Sequence, residues 1–158
     1  MSTPRFAIAL HEPQIPQNTG AIARTCAATD TPLHLIGKMG FTIDEKRVRR
    51  AGLDYWPHVK LAQHTDWNSF TETVRPSRVW ALSTHATRLY SDAEFAEGDI
   101  LLFGSETRGL GEHFLSAFPE EQRLRIPIVT DHVRSLNLSN AVAVVLYEAL
   151  RQLKFGAC

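Results

Sequence analysis

The run Ile100-Leu101-Leu102-Phe103 has no polar position. Successive side chains of a strand point to opposite faces, so a run without alternation is apolar on both and needs cover on each. It reads as the central strand of a parallel sheet with helices above and below. The rest of the chain agrees, since short apolar or β-branched runs alternate with helical patterns throughout. Strands are predicted over residues 5–10, 33–36, 58–61, 78–82, 100–103 and 124–126, and helices over 19–29, 44–51, 66–74, 112–117 and 137–155. That order implies right-handed crossovers and a doubly wound α/β fold. With 158 residues, no repeat and no flexible linker, a single domain over residues 1–158 is expected.

Composition narrows the partners. The 17 basic and 17 acidic residues cancel, unlike a protein held on nucleic acid by bulk charge. Any RNA contact must come from a local patch. Lys46-Arg47-Val48-Arg49-Arg50, followed by Tyr55 and Trp56, offers cations for phosphates beside rings for stacking, although such a run also suits a solvated helix face. Cys26 and Cys158 are far apart, without a CxxC or a His/Cys cluster, so free thiols and no metal site are expected. Residues 1–9 lack the pattern of a signal peptide, and no apolar run approaches a membrane span, which predicts a cytoplasmic protein without membrane contact.

In a doubly wound sheet, ligands bind beyond the carboxyl ends of the strands, so the residues after Leu10, Leu82, Phe103 and Ile126 carry the information. After the first strand comes Glu12-Pro13-Gln14-Ile15-Pro16-Gln17-Asn18-Thr19-Gly20, leading into a helix with Arg24. Asn18 could simply cap that helix, or it and Arg24 could reach a site above the sheet. After the central strand comes Gly104-Ser105-Glu106-Thr107-Arg108-Gly109-Leu110-Gly111. Its glycine spacing is not GxGxxG, and it lacks the Gly-Lys-Ser/Thr of a P-loop, so ordinary dinucleotide and P-loop chemistry are demoted. Glycine still lets a ligand approach the backbone, and a carboxylate just beyond a buried strand needs a use. The third segment, Arg134-Ser135-Leu136-Asn137-Leu138-Ser139-Asn140, opens the last helix with more polar residues than capping requires. That helix has a core stripe including Val142, Val145, Leu146, Ala149 and Leu150, and a second apolar face at Ala143, Val144 and Tyr147. The second face suggests a homodimer through this helix.

In order and spacing, these three segments resemble the three motifs of the SPOUT, or α/β-knot, methyltransferases. The stretch from Lys46 to Tyr55 and the triplet Tyr147-Glu148-Ala149 are similar to the small single-domain members that act on the tRNA wobble position. The resemblance implies a parallel sheet flanked by helices, with a carboxyl-terminal deep trefoil knot whose loops grip a bent S-adenosyl-L-methionine. Leu82, Gly104, Ile126, Ser135 and Leu136 would surround this cofactor, mostly through main-chain groups. Asn18, Arg24, Glu106, Ser135 and Asn137 would line the reacting centre, with no metal. Lys46, Arg47, Arg49 and Arg50 would bind RNA. The implied activity is transfer of a methyl group to the ribose 2′-hydroxyl of the wobble cytidine or uridine in the tRNA anticodon loop, leaving S-adenosyl-L-homocysteine. Methylation of rRNA or of another tRNA position, and a non-catalytic RNA-binding role, are the alternatives. A guanidinium is a poor base because it stays protonated, so Arg24 is assigned to phosphate binding and to charge developing on oxygen. The proton acceptor is left open among Ser135 acting as a relay, Glu106 and an RNA phosphate.

Overall fold

The computed structural model describes residues 4–43 and 56–156. The predicted helix over 44–51, the cations Lys46, Arg47, Arg49 and Arg50, and Tyr55 and Cys158 lie outside the described residues. Strands β1 (Phe6–His11), β2 (Leu33–Ile36), β3 (Leu61–His64), β4 (Val79–Leu82), β5 (Arg88–Leu89), β6 (Asp99–Phe103) and β7 (Arg123–Arg125) form one sheet, ordered β3-β2-β1-β6-β4-β7-β5. Every pairing is parallel. β6 lies between β1 and β4, as its two-faced apolar run requires.

Alternation along β6 divides the core into two halves. Leu101 and Phe103 pack with Ile22, Ala23 and Cys26 of α1 (Pro16–Thr29) and with the final helix, whereas Ile100 and Leu102 pack with Phe70, Leu115 and Phe118 on the other face. The second layer is built from α2 (Trp67–Val74) and the short α3 (Glu112–Leu115). The final helix, α4 (Leu138–Gln152), buries Val142, Val145, Leu146, Ala149 and Leu150, an i, i+3, i+4, i+7, i+8 stripe. Burying one Leu or Val side chain of this kind contributes roughly 1.5–3 kcal/mol. The amino-terminal edge of the sheet is closed by a buried carboxylate, Asp99, which accepts from Trp80 Nε1 at 2.8 Å, Arg78 at 2.7 Å and Ala96 N at 2.8 Å. That charge is fully engaged in holding structure, which leaves the carboxyl edge for chemistry.

Several boundaries differ from expectation for identifiable reasons. α1 starts at Pro16 rather than residue 19, because proline suits the first helical turn, and the helix carries no side-chain cap. The third strand covers Leu61–His64 instead of 58–61, with His58 ending a turn of 3-10 helix at Trp56–His58. Its register pairs Leu33 with Leu61 and Ile36 with His64, and its polar edge position leaves little apolar signal. β5 was not expected, being two residues long. The final helix stops at Gln152 rather than at residue 155, where Lys154 and Phe155 adopt positive φ. No helix among the described residues is long and apolar enough to cross a membrane.

β2 and β3 place His34 and His64 together, with Nδ1 of His34 3.0 Å from Nε2 of His64 and Phe70 against both rings. Burial, and secondarily His64, pushes the His34 imidazole down to about 4 from its ordinary 6.5. Because the folded chain resists a proton that the unfolded chain accepts, this pair contributes stability above about pH 6.5 that is lost as pH falls toward 4. Denaturant unfolding at pH 7.5 and pH 5 checks this: the wild type should lose stability at the lower pH, and His34→Gln should lose clearly less. Equal losses in both proteins would contradict the assignment.

Candidate active site

Three loops meet above the carboxyl ends of β4, β6 and β7 and enclose a cleft of about 260 Å³. Leu82 and Phe103, the last residues of β4 and β6, and Ile126, the first after β7, line it, Leu138 and Ala141 supply an apolar wall from α4, and residues 104–111 and 134–136 form the rim. Parallel strands place all these loops on one side, where consecutive crossovers diverge. The loop after β4 is held down by Ser83 N donating to Leu124 O at 2.9 Å and by His85 N donating to Ser83 Oγ at 3.1 Å.

The loop after β6 folds back on itself. Ser105 N donates to Gly109 O at 3.2 Å, Gly109 N donates to Ser105 O at 2.9 Å, and Arg108 N donates to Ser105 Oγ at 3.2 Å. A Cβ added at Gly104 would collide with the backbone of Gly109 and Leu110. Gly104 is therefore required first by the loop's own closure, and only through it by whatever the cleft holds.

Glu106 binds the loop after β6 to the loop after β1. Its carboxylate accepts from Gln14 N at 2.8 Å, Ile15 N at 2.7 Å and Asn18 Nδ2 at 3.1 Å. These main-chain amides open α1, so the carboxylate also neutralises the positive end of the helix dipole. Three of its roughly four acceptor positions are thereby used. Asn18 is buried and does not cap α1, because its amide is directed at Glu106.

Leu82, Gly104, Glu106, Ile126, Ser135 and Leu136 thus come together on a single cleft, and Asn18 joins them through Glu106. Arg24 does not line the cleft and lies exposed on α1. Asn137 is the cap of α4, its Oδ1 accepting from Ser139 N at 2.9 Å and Ser139 Oγ at 2.6 Å. Sequence reasoning missed the amides of Gln14 and Ile15, which no side chain announces, and missed His85 on the cleft wall. Only a short polar turn after an apolar strand could have pointed to His85. Among the described residues, no group of three or more His, Cys, Asp or Glu is placed to hold a metal ion.

A cleft of this form, with an apolar wall and polar loops over the ends of parallel strands, has the general character of a small-ligand site. Comparison with known proteins agrees. The pattern of the SpoU rRNA Methylase family matches residues 5–147. The tRNA (cytidine(34)-2′-O)-methyltransferase of Escherichia coli K12 is 52% identical over 148 residues, covering 94% of either chain. A structure solved to explain 2′-OH methylation of C/U34 on tRNA superimposes with a TM-score of 0.88 at 47% identity, over 98% of this chain and 94% of that one. An AdoMet-bound rRNA methyltransferase from Sinorhizobium meliloti superimposes with a TM-score of 0.81 at 25% identity, over 96% of this chain but 58% of that one. The chain belongs to the SpoU methylase family of SPOUT methyltransferases.

Proposed function

We propose that the chain is an S-adenosylmethionine-dependent tRNA 2′-O-methyltransferase that modifies the ribose of the wobble cytidine or uridine. The observation that carries this reading is the joining of all three loops at one backbone-rimmed cleft, in a chain half identical over nearly its whole length to a wobble-position enzyme. The family description names rRNA, but the rRNA enzyme compared above is more distant and spans a longer chain. The tRNA enzyme matches over 94% of either chain. A role as a non-catalytic RNA-binding module is disfavoured by the presence of Asn18, Arg24, Glu106 and Ser135 together.

The residues present fit the cofactor. Leu82, Gly104, Ile126, Ser135 and Leu136 offer main-chain groups around an apolar floor, the surroundings that an adenosine requires. When bound, S-adenosylmethionine supplies a methyl group already activated by its sulfonium charge. The protein's share is positioning: Glu106 fixes the two loops relative to each other, so the acceptor oxygen can be held in line with the methyl carbon. With three of its roughly four acceptor positions used in joining the loops, Glu106 acts as a positioning residue, and the proton acceptor is taken to be Ser135 as relay or a phosphate of the RNA. Arg24 binds the adjacent phosphate and stabilises charge on the attacking oxygen. The cations Lys46, Arg47, Arg49 and Arg50 hold the anticodon stem and loop.

The working unit is a homodimer. Tyr147 is 45% exposed on α4, with its ring 6.2 Å from that of Phe155, while Leu136 and Ile15 add further exposed apolar surface. Arg24 does not line its own cleft, and on this reading it acts at the cleft of the other chain across a symmetric interface. The same family reading threads the carboxyl-terminal segment through the preceding loop as a trefoil knot, consistent with α4 packing back on α1.

Calorimetry provides the first check. S-adenosylhomocysteine should bind and, at ~100 times its dissociation constant, raise stability by ~2.7 kcal/mol. NAD and ATP should not bind, and Gly104→Val should abolish binding by forcing the Gly109-Leu110 backbone away. Failure of S-adenosylhomocysteine and S-adenosylmethionine alike to bind would remove the cofactor assignment. The second check is turnover with saturating tRNA. Arg24→Ala should keep cofactor affinity and lose methyl transfer, and normal turnover would contradict its role. Purified mixed dimers of Arg24→Ala and Gly104→Val chains should regain tRNA methylation at one of their two sites, whereas inactivity equal to that of either parent would confine Arg24 to its own chain.

A further inference from the structure

A second cleft, of about 380 Å³, adjoins the first and shares Ser105, Thr107 and Arg108 with it. Its other walls are Glu12 and Gln14, after β1, and Lys38, Met39 and Gly40, after β2. These walls are fastened to one another. Gly40 N donates to Pro13 O at 3.1 Å, Gln14 Nε2 donates to Glu12 O at 2.8 Å, and Gln14 N donates to the Glu106 carboxylate at 2.8 Å. A Cβ on Gly40 would lie 2.8 Å from the carbonyl oxygen of Gln14 and 3.0 Å from its Cα, so the two loops meet where only glycine fits. Glu12 holds a φ of 55°, a left-handed backbone that a non-glycine residue adopts only when its surroundings impose it. Hydrogen bonds and close backbone packing therefore hold the walls of this cleft together.

Its chemistry suits a nucleotide. Lys38 and Arg108 place a cation on each of two walls, and neither forms an ion pair among the described residues. Met39 adds a polarizable apolar surface, and Glu12 and Gln14 add acceptors. Methyl transfer requires the acceptor oxygen roughly 3–3.5 Å from the methyl carbon, so an acceptor subsite must share a wall with the cofactor cleft. The Ser105–Arg108 segment is such a wall. We propose that this second cleft seats the nucleotide whose ribose is methylated, with Lys38 and Arg108 on its flanking phosphates and Met39 against its base. The proposal rests on the reading of the first cleft as the cofactor site. A base turned out of a single-stranded loop exposes its face for such contact, and phosphate contacts fix its register without reading its identity.

Steady-state methylation of an anticodon stem-loop RNA tests this, with the dissociation constant of S-adenosylhomocysteine measured alongside. Lys38→Glu removes one phosphate contact, and Met39→Trp fills the cleft without changing charge. Lys38→Glu should raise KM for the stem-loop roughly tenfold, the factor lost with one charge-assisted contact, and Met39→Trp should raise it severalfold by filling the cleft. Lys38→Arg should restore KM to within about twofold of wild type, as expected for a phosphate contact that either cation can make. S-adenosylhomocysteine affinity should be unchanged in all three, which also shows that they fold. If Lys38→Glu and Met39→Trp both bind S-adenosylhomocysteine normally and leave KM within about twofold of wild type, the second cleft is not the acceptor subsite, although the cofactor reading stands. A wild-type protein that binds S-adenosylhomocysteine yet transfers no methyl group to the stem-loop overturns the acceptor proposal alone, and one that binds no S-adenosylhomocysteine overturns both readings.

Discussion

The Glu106 carboxylate joins two parts of the chain more than 80 residues apart, accepting from Gln14 N, Ile15 N and Asn18 Nδ2. Hydrogen bonds to an ionised acceptor are roughly twice as strong as neutral ones, and these also satisfy amides at the start of α1 that have no partner within the helix. The loop after β6 and the loop after β1 thereby become one rigid rim. Both clefts depend on that rim, because each takes one wall from residues 105–108. Asp99, the buried carboxylate at the other edge of the sheet, is engaged just as fully, yet it lines neither cleft. The two carboxylates sit at opposite ends of the parallel strands, and only Glu106 lies at the carboxyl end, where ligands of such sheets bind.

Backbone geometry, more than side-chain identity, defines the first cleft. Leu82, Ile126 and Leu136 line it as apolar residues, a lining that similar apolar residues would also supply. Gly104 cannot be exchanged in the same way, since any Cβ would strike Gly109 and Leu110. On the proposed reading, cofactor binding rests on the loops that the fold brings together, and substrate choice on side chains around the second cleft and on Lys46, Arg47, Arg49 and Arg50. This division suits a family whose members compared here act on different RNAs with similar folds.

Buried elements were legible in the sequence, and edges were not. Residues 5–10, 33–36, 78–82 and 100–103 read as strands because each is buried by helices and must be apolar. The polar edge strand Leu61–His64 and the two-residue β5 carry no such signal and owe their place to register against neighbours. The site followed the same rule: Gly104, Glu106 and Ser135 stood out because glycine, a carboxylate and polar residues are unexpected next to apolar strands and a core helix. The partners of Glu106 are mostly main-chain amides, which the sequence leaves anonymous. Asn18 illustrates the ambiguity, since at a helix start it reads equally as a cap or as a site residue, and only the fold brings Glu106 within 3.1 Å of it. Asn137 presented the same choice, and there the structure shows the cap.

The central claim is that this chain places a methyl group on the ribose of the tRNA wobble nucleotide. Mass spectrometric mapping of ribose methylation in tRNA from cells lacking the gene tests it most directly. The account predicts loss of 2′-O-methylation at wobble cytidine or uridine in at least one tRNA, restored by the wild-type chain and not by Gly104→Val. Unchanged wobble methylation, with a methyl group lost from rRNA or from another tRNA position instead, would contradict it.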